Sequence, residues 1–182
     1  MKPLRAILFG NSGSGKSSLA RQLVAGRAVP ILSLDDIAWN PGPERKPLAE
    51  SVAALEEFVR MHDEWVIEGC YADLVEAALP FGSELRFLNP GIEVCVAHCQ
   101  SRPWEPDKYA TPEAQQAMFD PLIEWVRGYE VRDDECSFGR HRAVFDSHGG
   151  AKREYRLVGE YLESVAGAPG SDSAGTGKEL VD

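Results

Sequence analysis

The stretch Gly10-Asn11-Ser12-Gly13-Ser14-Gly15-Lys16-Ser17 fills every fixed position of the pattern G-x-x-x-x-G-K-[ST]. Apolar residues 4–9 precede it and have the composition of a short strand. A predicted helix over residues 17–25 follows it, with its leucines at helical spacing. In this order of strand, loop and helix, the loop's backbone N–H groups and the helix N-terminus converge on one anion site. The sequence therefore predicts a phosphate-binding loop.

The side chains of this loop indicate which phosphate compound it binds. Lys16 would reach the β- and γ-phosphate oxygens of a nucleotide, and the hydroxyl of Ser17 would coordinate Mg²⁺. We expect ATP and Mg²⁺ to be the cofactors, bound by one run of residues: Gly10, Asn11, Ser12, Gly13, Ser14, Gly15, Lys16, Ser17 and Ser18. The alternative is a glycine-rich turn that binds no ligand.

Strands and helices alternate along the rest of the chain. Strands are predicted at residues 29–34, 65–67, 85–88 and 154–158, and helices at 48–61, 74–79, 112–131 and 138–145. Asn89 is predicted to cap a further helix, with Pro90 at its first position. This alternation predicts an α/β fold of three layers, with a mostly parallel five-stranded sheet flanked by helices. Residues 101–112 are predicted to form a lid-like excursion that leads into a helical segment.

The length and composition are those of one domain. The chain has 182 residues, and we expect a single domain over residues 1–166. Residues 167–182 are small and polar, so a disordered tail is predicted there. No apolar run approaches the roughly 20 residues that span a bilayer, and the first residues lead into a strand rather than a signal peptide. We therefore expect a cytoplasmic protein with no membrane partner.

The charge balance bears on the choice of partners. There are 19 basic and 29 acidic residues, for a net charge of −10, which repels polyanions such as long nucleic acids. The four cysteines have no framework spacing and are predicted to be free thiols. Cys95, His98 and Cys99 share a helix face. That face is predicted to be partly buried, and the alternative of a zinc site lacks a fourth ligand.

Further motifs narrow the class of nucleotide-binding protein. The guanine-reading motif Asn-Lys-x-Asp does not occur in the sequence, and the chain is too short for a ring-forming ATPase. The stretch Leu34-Asp35-Asp36-Ile37-Ala38-Trp39-Asn40-Pro41-Gly42 follows the second strand, and Trp65-Val66-Ile67-Glu68-Gly69-Cys70-Tyr71 forms and follows the third. With the phosphate-binding loop, these motifs resemble the small P-loop kinases of the adenylate kinase and shikimate kinase group. Over residues 4–102 the chain is similar in particular to bacterial topology modulation proteins.

The resemblance implies a fold and a reaction class, and the sequence departs from it in two places. Asn89 stands where these relatives usually have an aspartate. Cys70 lies in Glu68-Gly69-Cys70-Tyr71, where they usually have Asp-Gly-Asn-Tyr. Both departures concern the acceptor rather than the phosphate site.

The second strand carries the best candidate for an acceptor carboxylate. Asp35 lies where that strand would open on the same sheet edge as the loop, so it could orient an acceptor hydroxyl and take its proton. The alternatives are a helix cap or a solvated acid at Asp35, with Asp36 as a weaker candidate. Glu68 could hold a water of Mg²⁺ or contact the acceptor, together with Gly69. Trp39 and Tyr71 could stack on the acceptor or on adenine, or belong to the core.

The cations of the second half are candidates for lid residues. Arg102 follows the helix after the fourth strand, where an arginine could meet the transferring phosphoryl group, or it is a plain C-terminal helix cation. Lys108, Arg127, Arg132, Arg140 and Arg142 lie among acids, and most of them are predicted to be solvated or paired. We therefore expect phosphoryl transfer from ATP to a small-molecule acceptor. The alternatives are a regulatory ATP-binding module that acts through a protein partner and a kinase of nucleic-acid 5′ ends.

Overall fold

The computed structural model describes residues 2–106 and 110–161. Its strands are β1 (Arg5–Gly10), β2 (Ile31–Ser33), β3 (Trp65–Gly69), β4 (Glu84–Leu88) and β5 (Lys152–Tyr155). Its helices are α1 (Lys16–Leu23), α2 (Leu34–Ala38), α3 (Leu48–Met61), α4 (Ala72–Ala78), α5 (Ile92–Gln100), α6 (Pro112–Ala117), α7 (Phe119–Arg127) and α8 (Phe138–Ser147). Short 3₁₀ turns follow α4 at Leu79–Phe81 and α7 at Gly128–Glu130.

The five strands form one sheet in the order β2-β3-β1-β4-β5. All four strand pairings are parallel, which confirms the predicted α/β fold. The fifth strand exists as predicted, although it occupies residues 152–155 rather than 154–158.

Helices cover both faces of the sheet because the side chains of the central strand alternate between them. Ile7 and Phe9 of β1 point into a large core that α2, α3, α4 and α8 complete. Ala6 and Leu8 point to the opposite face, where α1 packs. A smaller cluster joins α5 to α7 beside the sheet, through Cys95, Val96, Cys99 and Val126. The helices cover the faces of the sheet, so its carboxyl edge is lined by loops.

The second strand is shorter than predicted. It ends at Ser33, and Asp35 lies in the first turn of α2 rather than at a strand end. The reason is visible in the sequence, since Leu34, Ile37 and Ala38 are buried at helical spacing. Acids in the first turn of a helix are stabilised by its dipole. The prediction that Asp35 lies at the end of a strand is therefore wrong, because Asp35 belongs to the helix that follows β2.

Two helix predictions also fail. Asn89 does not cap α5, whose N-cap is Gly91. Instead the side chain of Asn89 donates a hydrogen bond to Glu154 Oε1 at 3.0 Å, which ties β4 to β5. The helix predicted over residues 112–131 is divided at Met118 into α6 and α7. Pro121 lacks the N–H that a continuous helix would need there, whereas it is tolerated in the first turn of a new one.

Some predictions lie outside the described residues, namely the tail at 167–182 and Lys108 in the lid-like excursion. The single domain over residues 1–166 likewise stays a prediction. Among the described helices, none is both long enough and apolar enough to cross a bilayer.

Candidate active site

Three strand ends meet at the carboxyl edge of the sheet. Because the order is β2-β3-β1, the end of β3 lies between the phosphate-binding loop after β1 and helix α2 after β2. In open parallel sheets this edge is where ligands bind. Residues 68–71 are thus placed between the loop and Asp35.

The loop has the backbone conformation that its glycines predict. Gly10, Gly13 and Gly15 have φ values of 148°, 79° and 94°. Two features exclude a side chain at Gly13. Its φ is positive, and an added Cβ would lie 2.2 Å from the carbonyl oxygen of Cys95. The loop therefore packs directly against α5.

Helix α5 supports the loop with further side chains. The Nδ1 atom of His98 lies 2.8 Å from the carbonyl oxygen of Gly13, which can only accept, so this nitrogen donates. The Cys99 sulfur lies 3.9 Å from the Ser12 hydroxyl. The face that carries Cys95, His98 and Cys99 thus contacts the loop. Within residues 2–106 and 110–161 there is no group of three or more side chains that could hold a metal ion. All four cysteines are free thiols, as expected.

Polar groups of the loop fit the phosphates of a nucleotide. Lys16 is only 8% exposed, and its Nζ atom donates to the carbonyl oxygens of Gly10 and Asn11 at 3.1 and 2.8 Å. The hydroxyl of Ser14 is buried and has no hydrogen-bond partner. An unsatisfied buried hydroxyl is costly unless a ligand completes it. The loop thus combines a held cation with an unpaired polar group.

Ser17 and Glu68 fit a magnesium ion. The hydroxyl of Ser17, in the first turn of α1, donates to Glu68 Oε1 at 3.0 Å. Glu68 lies within β3, and its side chain reaches across to the loop. A hydroxyl and a carboxylate are oxygen ligands of the kind Mg²⁺ takes. Ser17, predicted to coordinate Mg²⁺, and Glu68, predicted to hold a water of Mg²⁺ or to contact the acceptor, are therefore in contact.

Three further residues that were predicted to act at the phosphate site, Asn11, Ser18 and Arg102, have different surroundings. The guanidinium of Arg102 donates to the hydroxyl of Ser12 at 3.2 Å, so this cation lies at the loop although it follows α5. The side chain of Asn11 is buried and donates to the carbonyl oxygen of Val126 at 3.1 Å. Asn11 thus anchors the loop to α7 and offers a ligand only its backbone. Ser18 is exposed on the first turn of α1.

Asp35 belongs to a chain of hydrogen bonds. The Tyr71 hydroxyl donates to Asp35 Oδ1 at 2.7 Å and accepts from the indole N–H of Trp39 at 2.7 Å. Burial, with nearby negative charge, raises the pKa of Tyr71, so the hydroxyl keeps its proton and donates. The contact leaves the second carboxylate oxygen of Asp35 to a ligand. The rings of Trp39 and Tyr71 meet edge to face with centroids 6.4 Å apart.

Gly69 has a packing role. An added Cβ would lie 2.6 Å from Cβ of Leu34, the first residue of α2. The close approach brings α2, and with it Asp35, against the end of β3. The prediction that Gly69 contacts the acceptor remains untested.

The contacts of Arg45 with Asp73, Glu135 and the Tyr71 ring were not predicted from the sequence. Arg45 donates to both carboxylate oxygens of Asp73 at 2.9 Å and forms an ion pair with Glu135. Its guanidinium also lies 5.1 Å from the centroid of the Tyr71 ring. Arg45 therefore contacts the ring of Tyr71, whose hydroxyl donates to Asp35. Its partners are 28 and 90 residues away in sequence, so no local pattern indicates them.

Arg132 was predicted to be solvated or paired, and it is paired, because its Nε atom lies 3.4 Å from Asp134 Oδ1. Its side chain is 12% exposed, and its guanidinium lies 3.6 Å from the ring centroid of Trp125. It donates to the carbonyl oxygens of Trp125 and Cys136 at 2.7 and 2.6 Å, and one nitrogen lies 3.5 Å from Asn11 Oδ1. An inner cation thus supports the loop. Arg127, Arg140 and Arg142 are paired with acids.

Comparisons with known proteins concern the fold. A scan against models of protein families matches none of them, and a search of curated proteins finds no similar sequence. A solved structure from Chloroflexus aurantiacus, provisionally named a kinase, is 14% identical over 91% of this chain and 96% of its own, with a TM-score of 0.52. This similarity supports the assignment of the fold.

Two further solved structures have lower TM-scores, although their sequence identities are slightly higher. A shikimate kinase from Acinetobacter baumannii, in complex with shikimate, is 17% identical over 79% of this chain and 92% of its own, with a TM-score of 0.43. A gluconokinase from Sinorhizobium meliloti is 21% identical over 81% of this chain and 99% of its own, with a TM-score of 0.41. These scores are too low to carry an argument about the acceptor.

Proposed function

We propose that this chain transfers a phosphoryl group from ATP, with Mg²⁺, to a small molecule: a nucleoside, a nucleotide or another hydroxylated metabolite. One observation supports the proposal above all. A carboxylate held by a buried tyrosine, Asp35 with Tyr71, is at the same sheet edge as a loop that carries Lys16 and Ser17. A triphosphate site alone is compatible with a switch or a motor. A positioned carboxylate beside it is what an acceptor hydroxyl requires.

The residues divide the reaction between them. The loop amides and Lys16 bind the triphosphate, and Ser17 and Glu68 would hold Mg²⁺. When bound, the ion neutralises charge on the phosphate oxygens. Asp35 takes the proton of the acceptor hydroxyl while the oxygen of that hydroxyl bonds to the γ-phosphorus. The bond from that phosphorus to the bridging oxygen then breaks, and ADP leaves. Arg102 supplies positive charge at the loop.

Two narrower statements accompany this proposal. Membership of the topology modulation group remains a prediction from the motifs after β2 and β3. A cytoplasmic location is expected from the sequence alone.

Asp35→Asn tests the proposal, with Asp36→Asn as the matched control. The variant keeps the size of the side chain and accepts the hydrogen bond from Tyr71, but it loses the base. Acceptor-dependent ADP release should fall about 10²- to 10⁴-fold, the usual cost of removing a positioned base. Affinity for a non-hydrolysable ATP analogue, measured by calorimetry, should stay within a few-fold. Asp36 is exposed on the same turn, and its variant should keep both properties.

The acceptor panel for this assay contains nucleosides, nucleotides, sugars and other polyols. Wild-type transfer in Asp35→Asn would assign the base to another carboxylate. If no acceptor stimulates ADP release by the wild-type chain and a protein partner does, the regulatory module is the better interpretation.

A further inference from the structure

Two thiols from distant parts of the chain meet beside the candidate active site. The sulfur of Cys136 lies 3.6 Å from the sulfur of Cys70. Cys70 connects β3 to α4, and Cys136 belongs to the segment that precedes α8. Cys70 is partly exposed, whereas Cys136 is buried. Cys70 is therefore the member of the pair through which a small reagent would approach from solvent.

The backbone on both sides of the pair is already fixed. The N–H of Ala72 donates to the carbonyl oxygen of Glu135 at 2.8 Å, and Nε2 of His141 lies 2.7 Å from the carbonyl oxygen of Cys70. A disulfide bond is about 2.05 Å long, so the sulfurs need to approach by roughly 1.5 Å. Rotation of two short side chains can supply part of this movement, and a shift of the segment that carries Cys70 supplies the rest.

The remaining thiols have a different neighbourhood. Cys95 and Cys99 are buried on one face of α5, and the Cys99 sulfur contacts the hydroxyl of Ser12. Both lack the exposure that Cys70 has. They therefore serve as internal controls for any reagent that reaches the thiols of this chain.

We propose that Cys70 and Cys136 form a modification site, at which a hydroperoxide produces an intramolecular disulfide that slows phosphoryl transfer. Formation of the disulfide depends only on the two sulfurs. The effect on transfer rests on the function proposed above.

The chemistry balances with hydrogen peroxide as the oxidant. The Cys70 sulfur bonds to one peroxide oxygen and loses its proton, the O–O bond breaks, and the first water leaves. The Cys136 sulfur then bonds to the Cys70 sulfur, the S–O bond breaks, and the departing hydroxyl leaves as the second water with the proton of Cys136. Two thiols lose two electrons and the peroxide gains them. A dithiol reduces the disulfide back to two thiols and is itself oxidised to a disulfide.

The position of Cys70 explains why the bond would affect transfer. Cys70 lies between Glu68, which accepts from Ser17, and Tyr71, whose hydroxyl positions Asp35. Drawing the Cys70 side chain toward Cys136 displaces the segment that joins these two contacts. A displacement of about 1 Å at a positioning residue is enough to reduce a rate strongly.

The test treats the full chain with hydrogen peroxide and counts thiols by alkylation and mass spectrometry. We expect the count to fall from four to two, with a peptide that links Cys70 to Cys136, and to return to four with dithiothreitol. Cys136→Ser should lose this linkage, whereas Cys95→Ser should retain it. Four free thiols after treatment, or a linkage between other cysteines, would overturn the proposal. The peptide map of the wild-type chain decides this even if a variant fails to fold.

Acceptor-dependent ADP release is measured on the same samples. The oxidised wild-type chain should lose at least about tenfold in rate and recover with dithiothreitol, while Cys136→Ser should keep its rate under peroxide. Full activity of a chain that carries the disulfide would overturn the effect on transfer. If the reduced chain transfers to no acceptor, the proposed function has failed, and the thiol count still decides whether the modification site exists.

Discussion

The ammonium group of Lys16 is enclosed by its own loop, which holds it through the carbonyl oxygens of Gly10 and Asn11. A lysine at this position might be taken for a hydrated surface residue, but its side chain is almost wholly buried. Phosphate oxygens form stronger, charge-assisted hydrogen bonds than neutral carbonyls do. An incoming triphosphate can therefore replace the carbonyl partners without leaving the cation unpaired.

Replacing Lys16 by methionine separates this charge from the volume of the side chain. Lys16→Met should lower ATP turnover about 10²- to 10³-fold, because one preorganised charge is removed from the developing phosphoryl charge. The melting temperature should change by only a few degrees, since the aliphatic part still packs. Lys152→Met is the matched control, because Lys152 is exposed at the opposite end of the sheet. Turnover is followed by a coupled ADP assay, and wild-type turnover in Lys16→Met would contradict the assignment of the loop.

At the scale of residues, the sequence predicts chemistry that is local and misses chemistry that is not. Lys16 and Ser17 belong to one short motif, so roles for both can be predicted from the sequence alone. The ion pair between Arg45 and Glu135 and the thiol pair of Cys70 and Cys136 join positions far apart in the chain. Only the folded backbone brings such residues together.

Elements were predicted best where an apolar pattern runs long. Helix α3 occupies residues 48–61 as predicted, and β3 begins at the predicted Trp65 but extends to Gly69, two residues beyond the predicted end. Helix α2 was missed because its five residues follow a strand without a break. The cap of α5 was misassigned because Asn89-Pro90 satisfies a local rule, while a contact with Glu154 of β5 occupies the asparagine. Tertiary contacts therefore decide the short elements and the ends of the long ones.

The packing of the loop on α5 can be tested with two glycines of similar conformation. Gly13 and Gly26 have φ values of 79° and 73°, but an added Cβ meets Cys95 at the first and no atom within 4 Å at the second. Gly26→Ala should thus report backbone strain alone, about 1–2 kcal/mol. Gly13→Ala should lose a further 1–3 kcal/mol, roughly, because the loop must move away from α5.

Urea unfolding of both variants measures these free energies, and calorimetry with an ATP analogue measures nucleotide affinity. We expect only Gly13→Ala to lose affinity. Equal unfolding free energies for the two variants would mean that the loop tolerates separation from α5.

At the scale of the whole molecule, strand order assembles the site. The sequence predicts a parallel sheet but not the order β2-β3-β1-β4-β5, which follows from long-range pairing. This order sets the end of β3 between the loop and α2, so that Glu68 reaches Ser17 and Tyr71 reaches Asp35. Only this strand order brings the separate motifs together into one site.

The same arrangement places a neutral histidine inside the molecule. His141 of α8 is fully buried, and its ring nitrogens lie 2.6 Å from the Tyr129 hydroxyl and 2.7 Å from the carbonyl oxygen of Cys70. The carbonyl can only accept, so Nε2 carries the proton and Nδ1 accepts from Tyr129. Burial is the main cause that lowers the pKa of His141 to about 3, and nearby cations, including Lys16 and Arg132, act in the same direction.

This pKa shift makes the stability of the fold depend on pH in a defined window. The pKa of His141 is lower in the folded chain than the ordinary 6.5, so between pH 6.5 and about 3 the unfolded chain binds a proton that the folded chain does not. Stability therefore falls as the pH falls, by roughly 2 kcal/mol between pH 7.5 and 5.0. Glu154, whose pKa is lowered to about 2, adds its own loss of stability only below about pH 4.5.

Urea unfolding across this pH range measures the slope of stability against pH. His141→Gln keeps a donor and an acceptor but cannot titrate, so it should remove most of the slope even if it is less stable throughout. A variant that retains the full slope would assign the proton uptake to another group.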